Sequence, residues 1–322
     1  MFRLFDNAHY DFLRLWKIAV AITAIFVLPG LVVFAIRGLN LSIEFTGGTL
    51  IEVRADNPDM VTGSIRSALA TQGLGSAEIQ TFGAPNEFVI RARLDPRAEV
   101  TDESTQETAA QVEAALAAAF GEGTYEIVRT EAVGPKVGSE LRQRAALAVL
   151  MGLGATFLVL WFRYEWRFGL AAVVATIHDI VATFAFLAFL NLEFSLVVVA
   201  ALLTLVGYSL NDTIVTFDRV RENLKKFRRE DFVGVLNRSV NETLPRTVLT
   251  SGTTASATIA LLVLGGSVIR PFAWVMTFGV VVGTFSSIFI ASPVLLLIER
   301  RWPGESVRGT KALSARGVVA TT

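Results

Sequence analysis

The sequence predicts a six-span α-helical membrane protein with one small α+β domain between its first and second spans. Three observations carry that fold class. Of the 322 residues, 52% are hydrophobic and 18% charged, and the apolar ones gather in uninterrupted blocks. Such blocks mark a chain that crosses a bilayer repeatedly. One stretch, 37–144, is charged and turn-rich and holds no spanning run. Net charge is zero, and the basic residues concentrate in alternate connections, as orientation across a membrane requires.

Residues 1–17 are polar, with Arg3, Arg14 and Lys17 ahead of the first apolar block at 18–36. That block is long enough to span. Val33 and Ala35 could pass for a cleavage site, but the run exceeds a signal-peptide core and further spans follow. An uncleaved anchor with a cytoplasmic N-terminus is the favoured reading.

Within 37–144 a strand is expected at 49–54. A helix over 58–71 would carry Pro58 in its first turn. Strands at 77–82 and 87–93 flank the turn Gly83-Ala84-Pro85-Asn86. A helix over 102–120 opens on capping-type residues and stops at Gly121, and a last strand covers 125–133. This β-α-β-β-α-β order is the ferredoxin-like arrangement, expected as a small soluble domain outside the membrane. Fold alone assigns it no activity.

Five more spans follow, at 145–162, 168–190, 194–217, 246–266 and 270–298. Six spans put both termini on one side. The loop 163–167, the segment 218–245 and the tail 299–322 are basic, whereas the opposite loops hold only Arg270. All three basic connections are therefore expected to be cytoplasmic. In 218–245, Phe232, Val235, Leu236 and Val240 recur at near-helical spacing. The segment reads either as an amphipathic stretch on anionic lipid or as a solvated basic loop.

Composition also excludes. There is no cysteine, hence no disulfide and no thiolate ligand, and the two histidines stand far apart. No Gly-rich phosphate loop occurs. No nucleophile, base and orienter set appears, so an enzyme is not expected. No cofactor is expected, and nothing points to nucleic acid.

The candidate chemistry lies in the spans. Asp212 sits inside an apolar run, where a carboxylate costs roughly 2.5–3.5 kcal/mol on insertion scales. Steps of four join it to Tyr208, Thr204 and Thr216, with Asn211 on the same side. A carboxyl in low dielectric is pushed toward its neutral form, and a nearby cation or water column pulls it back. Such a group can take and release a proton. The bland alternative is a hydrated residue near the cytoplasmic end of its helix, on the order of 10 Å from the span centre.

Arg246 is the candidate counter-ion, next to Pro245, which is expected to open the fifth span. Snorkelling to the interface is its alternative role. The first half of that span is polar, with Thr250, Ser251, Thr253 and Thr254. His178 and Asp179 lie mid-span in the third segment as secondary candidates, or as a structural hydrogen bond. In the sixth, Gly279, Gly283, Ser287 and Ala291 recur every four residues, a stripe for close helix packing.

The motifs together are specific. Phe45-Thr46-Gly47-Gly48-Thr49 follows the first span, and Val133-Gly134-Pro135-Lys136-Val137-Gly138 precedes the second. His178-Asp179 comes next, then Gly207 to Val215 leading into Asp218-Arg219-Val220-Arg221-Glu222-Asn223. Arg246-Thr247, Thr250-Ser251-Gly252-Thr253-Thr254 and Gly283-Thr284-Phe285-Ser286-Ser287 complete the set. On these residues the chain resembles the SecF family, the smaller membrane subunit of the bacterial SecD–SecF accessory complex of protein export.

The resemblance implies half of a proton-driven RND-type unit in the inner membrane, with SecD as the obligate other half. It implies a role in moving unfolded preproteins outward after the SecYEG channel and SecA have started them. Protons would be the coupling ion, Asp212 the proton residue and Arg246 its charged partner. Half a unit alone is not expected to conduct protons in a coupled way, and the small-residue stripes, the second being Ala148, Gly152 and Thr156 of the second span, would dock the other half. Two other readings compete: half of an RND-type exporter of lipids or small hydrophobic molecules, and a translocon scaffold without proton chemistry.

Overall fold

The structure is a computed structural model that describes residues 9–81, 84–92 and 102–304. Arg3, Phe82, Gly83, Arg93, the tail from 305 and the side chains of 102–106, which carry the expected helix cap, lie outside the described residues. The chain divides into two compact units, one of them Asn40–Ala148 with Glu193–Leu196.

That unit holds a four-stranded antiparallel sheet. Its strands are β2 (Gly48–Ala55), β3 (Glu78–Thr81), β4 (Glu87–Ala92) and β5 (Tyr125–Val133). Their order, β3-β4-β2-β5, is the one the β-α-β-β-α-β reading requires. Helices α3 (Thr62–Thr71) and α4 (Asp102–Phe120) bury Ile65, Leu69, Val112 and Leu116 with Ile51, Val53 and Ile90 of the sheet. The centrally placed β2 is buried on both faces, with Leu50 joining Ile43 and Val89 in a second cluster.

Pro58 does not open α3. Asn57 Oδ1 accepts from the Asp59 N–H at 2.9 Å and the Asn57 carbonyl from the Met60 N–H at 3.1 Å. An Asx turn thus captures the proline, and the helix starts four residues later.

The same unit holds elements with no sequence signal. Two-residue strands β1 (Asn40–Leu41) and β6 (Glu193–Phe194) pair in parallel, and a short helix α2 (Ile43–Thr46) sits between β1 and β2. Arg91, 5% exposed, pairs with Glu193 at 2.5 Å. Burial pushes the Glu193 carboxyl above the usual carboxylate range, and Arg91 opposes that shift. Glu44 accepts from the Leu196 N–H at 2.6 Å, at the first residue of helix α7 (Leu196–Lys226). A carboxylate there satisfies a free N–H and meets the positive end of the helix dipole. Gly47 and Gly48 both take positive φ, 76° and 128°. A side chain on Gly138 would come within 3.0 Å of the Gly47 nitrogen, so the two glycine motifs meet at their backbones.

The second unit holds the helices. In chain order they are α1 (Trp16–Arg37), α5 (Pro135–Arg163, shared with the sheet unit), α6 (Trp166–Phe189), α7, α8 (Phe232–Leu264), α9 (Gly266–Ser286) and α10 (Ser292–Arg301). Among the described residues six helical segments, taking α9 to α10 as one, are long and apolar enough to cross a membrane. The fold class is that of a six-span membrane protein with one small sheet domain.

Burial sorts the helices. α6 is lined by Ala171, Ala172, Ala175, Ala182, Ala185 and Ala188 and lies inside with α7, while α1, α5 and the apolar part of α8 are mostly exposed. Small side chains allow the close approach that dispersion and packing need when water supplies no driving force. At Gly30 of α1 even a methyl would sit 2.6 Å from the Ala185 carbonyl carbon.

Two sequence expectations change. The stretch 218–245 is neither a solvated loop nor a separate surface helix. α7 runs to Lys226 and α8 starts at Phe232, capped by Asp231 Oδ1 on the Gly234 N–H at 3.2 Å. Asn223 Nδ2 donates to Ser239 at 3.0 Å and to Glu242 at 2.9 Å, while Val220, Leu224, Val235 and Leu236 share one core. Pro245 therefore lies inside α8. Buried positions at 235–236, 239–240, 243–244, 247 and 251 continue through it, and that packing overrides the local proline signal.

The even four-residue stripe of the last span is broken as well. Ser287–Ala291 form a π-helical turn between α9 and α10, which widens the step between those two small residues.

Candidate functional site

The site is built on α6, α7, α8 and α9. Asp179 of α6 is 1% exposed and Asp212 of α7 is 3% exposed. Each is held differently. Ser209 Oγ donates to Asp179 Oδ2 at 2.5 Å, and His178 Nδ1 lies 3.0 Å from Asp179 Oδ1. His178 Nε2 is buried with no partner among the described residues. Asp212 instead meets α8, where Ser251 Oγ donates to Asp212 Oδ2 at 3.5 Å. Ser251 also lies 2.6 Å from Thr284 Oγ1 of α9 and takes the Tyr208 hydroxyl at 3.3 Å.

Ser209 and Asp212 are three residues apart on α7, so the two carboxyl clusters share one turn of helix. Adjacent residues of α9 serve both. Gly283 lets α9 close on Ser209, since a side chain there would meet the Ser209 Cβ at 3.0 Å, and Thr284 reaches Ser251. One turn earlier, a side chain on Gly279 would strike Leu205 at 2.5 Å. Ser287 and Ala291 are 1% and 0% exposed. Gly279 and Gly283 thus pack α9 on α7 and Ser287 and Ala291 are buried, so the stripe is used inside this chain and is not free to dock another half. Gly152 of α5 likewise faces Leu203 of α7, at 3.3 Å.

The expected residues separate accordingly. Asp212 and Tyr208 come together through Ser251, and Thr216 is buried beside Thr243 at 3.3 Å. Asn211 and Thr204 are exposed on α7, because one residue turns the helix by about 100° and two steps of four still drift by about 80°. Arg246 is exposed, and among the described residues it makes no salt bridge within 4.0 Å.

Ser251, Thr284 and Ser209 were visible in the sequence only as members of polar blocks. The spacing Ser209-x-x-Asp212 was the one signal that could have singled out a hydroxyl here. Chemically, hydroxyls suit a carboxyl that changes state. They donate to a carboxylate and accept from a carboxylic acid, so either form keeps its partners.

Residues 111–301 match the family described as protein export membrane protein SecD/SecF, C-terminal, a span that holds the whole site. The chain belongs to the SecD/SecF family. Residues 32–59 match the SecD/SecF GG motif, which covers the positive-φ pair Gly47 and Gly48. Among curated relatives, the protein translocase subunit SecF of Gemmatimonas aurantiaca is 54% identical over 100% of this chain and 97% of its own length. The SecF subunit of Vibrio alginolyticus is 42% identical over 88% of each.

Among solved structures, SecDF of Thermus thermophilus, a translocon-associated membrane protein, matches with a TM-score of 0.81 at 38% identity. A SecDF structure in a super-membrane-facing form matches at 0.65 with the same identity. In both comparisons 94% of this chain covers 40% of the longer SecDF chain.

Proposed function

We propose that this chain is one half of a proton-driven unit of protein export, completed by SecD, with Asp212 as its proton-carrying group. In this reading it lies in the bacterial inner membrane with both termini in the cytoplasm. The coupled pair draws unfolded preproteins outward after SecYEG and SecA have started them. The sheet domain works on the periplasmic side. Protons are the coupling ion and no bound cofactor is required.

The observation that carries the reading is Asp212 itself: a carboxyl 3% exposed, inside a candidate span, met by the Ser251 hydroxyl and by no cation within 4.0 Å among the described residues. Buried charge without a direct partner is costly in a membrane and is kept where it works. The proton gradient supplies about 2.3 kcal/mol per charge per 100 mV. That work is available only to a group that can be loaded from one side and emptied to the other. The Tyr208–Ser251–Thr284 hydroxyls beside Asp212 offer a short path for that exchange. Membership of a family whose relatives are named translocase subunits supports the export setting, and the match to a fused SecDF chain supports SecD as the missing half.

Asp212→Asn keeps the shape and the acceptor oxygen but cannot take up a proton. In inverted membrane vesicles, the variant is expected to assemble with SecD and lose the gradient-dependent part of preprotein export. Unchanged gradient-dependent export by an assembled Asp212→Asn complex would leave only a scaffold role.

A further inference from the structure

A groove of about 230 Å³ opens where α1 begins and α10 ends. Its wall is apolar, formed by Leu13, Trp16, Val233, Pro293 and Leu296. Leu13 and Pro293 are buried, so this wall is continuous with the helix core. Arg14 and Arg300 stand at its rim and are exposed. Among the described residues neither guanidinium has a salt-bridge partner within 4.0 Å. The one carboxylate in the lining, Asp11, is already engaged. Its Oδ1 accepts from the Arg14 N–H at 3.1 Å and from Asn237 Nδ2 at 2.8 Å. The groove also lies at the boundary of two candidate spans, Leu13–Arg37 and Val268–Arg301.

We propose that this groove binds one anionic phospholipid, its headgroup phosphate between Arg14 and Arg300 and the start of an acyl chain along the apolar wall. Three features select that ligand over others. Two guanidiniums present forked donors that suit phosphate oxygens better than any single carboxylate. Trp16 is the residue type that prefers the headgroup level, with its ring apolar and its N–H wet. The apolar wall beneath the cations fits a molecule that is charged at one end and hydrocarbon at the other, which inorganic phosphate is not.

The partner of this site is the lipid leaflet itself, bound at a fixed position. That differs from diffuse attraction, which Arg228 and Arg229 in the turn between α7 and α8 would supply equally well.

The test is native mass spectrometry of the chain in complex with SecD, released from nanodiscs of equimolar phosphatidylglycerol and phosphatidylcholine. Wild type is expected to retain one phosphatidylglycerol with a severalfold preference, since two guanidiniums outweigh the one carboxylate of the lining. Arg14→Gln with Arg300→Gln should abolish that preference, and Leu297→Trp at the rim should weaken it with both charges intact. Arg228→Gln with Arg229→Gln removes the same charge elsewhere and should leave it unchanged. Equal loss in both double variants would show non-specific attraction and overturn the proposal. So would a preference that appears only after residues 305–322 are removed, since the chain's own tail would then be the occupant.

Discussion

Ser209 Oγ donates to Asp179 Oδ2 at 2.5 Å, which ties the buried carboxyl of one helix to a residue one turn before the buried carboxyl of the next. A shift of α7 that alters the surroundings of Asp212 is therefore expected to pull on Asp179 as well.

Removing that hydroxyl is expected to weaken the bundle. Ser209→Ala deprives a 1%-exposed carboxyl of one of its side-chain partners, at a cost of about 1–3 kcal/mol. Ser209→Thr keeps the hydroxyl but adds a methyl beside Gly283. Heating the detergent-purified complex and following the fraction that stays monodisperse should rank wild type above both variants. Survival of Ser209→Ala to the wild-type temperature would show that Asp179 does not depend on Ser209.

The Ser251 hydroxyl separates chemistry from packing. Ser251→Ala removes the group that touches Asp212, Tyr208 and Thr284, whereas Ser251→Thr retains it. Gradient-dependent export is expected to fall severalfold in the alanine variant and to recover largely in the threonine variant. Equal loss in both would mean that the position serves packing alone.

Close packing at α9 gives a third expectation. Gly279→Leu must displace Leu205, and Gly283→Leu must displace Ser209. Each over-packs the α7–α9 contact by about 1–3 kcal/mol or more. Both variants should accumulate poorly in membranes, while Gly252→Leu, where an added Cβ meets open space, should accumulate normally. Normal levels of the Gly283 variant would contradict the close approach of α9 to α7.

In the sheet domain, Arg91→Met leaves Glu193 without its cation. Loss of one partner from a buried pair costs roughly 3–5 kcal/mol, and less here because a fifth of the Glu193 side chain is exposed. The sign with pH follows from burial. A carboxyl whose folded pKa lies above its unfolded value supports the fold at low pH and loses that support as pH rises through the folded pKa. Glu193 is raised already, and removing Arg91 raises it further. Resistance of the domain to limited proteolysis should therefore drop more steeply between acid and neutral pH in Arg91→Met than in wild type. A flat profile would contradict the pairing.

Much of this was legible in the chain. The six spans, the β-α-β-β-α-β order and Asp212 followed from apolar run length, turn residues and the expense of a buried acid. What escaped was non-local or small. The β1–β6 pair joins residues about 150 positions apart through two residues each, too short for any periodic signal. Proline as a helix-start signal also misled at Pro245, where a buried stripe of α8 runs through the residue. The partners of Asp212 came from α8 and α9, and only the packed bundle brings Ser251 and Thr284 to one place. Asn211, adjacent to Asp212 in sequence, faces outward instead.

The central claim is that Asp212 carries protons only in the completed unit. The direct measurement is proton flux into liposomes, followed with a trapped pH-sensitive dye, for this chain with SecD, this chain alone, and the Asp212→Asn chain with SecD. Flux is expected in the first case and only background in the other two. Flux from the Asp212→Asn complex equal to wild type would contradict the claim.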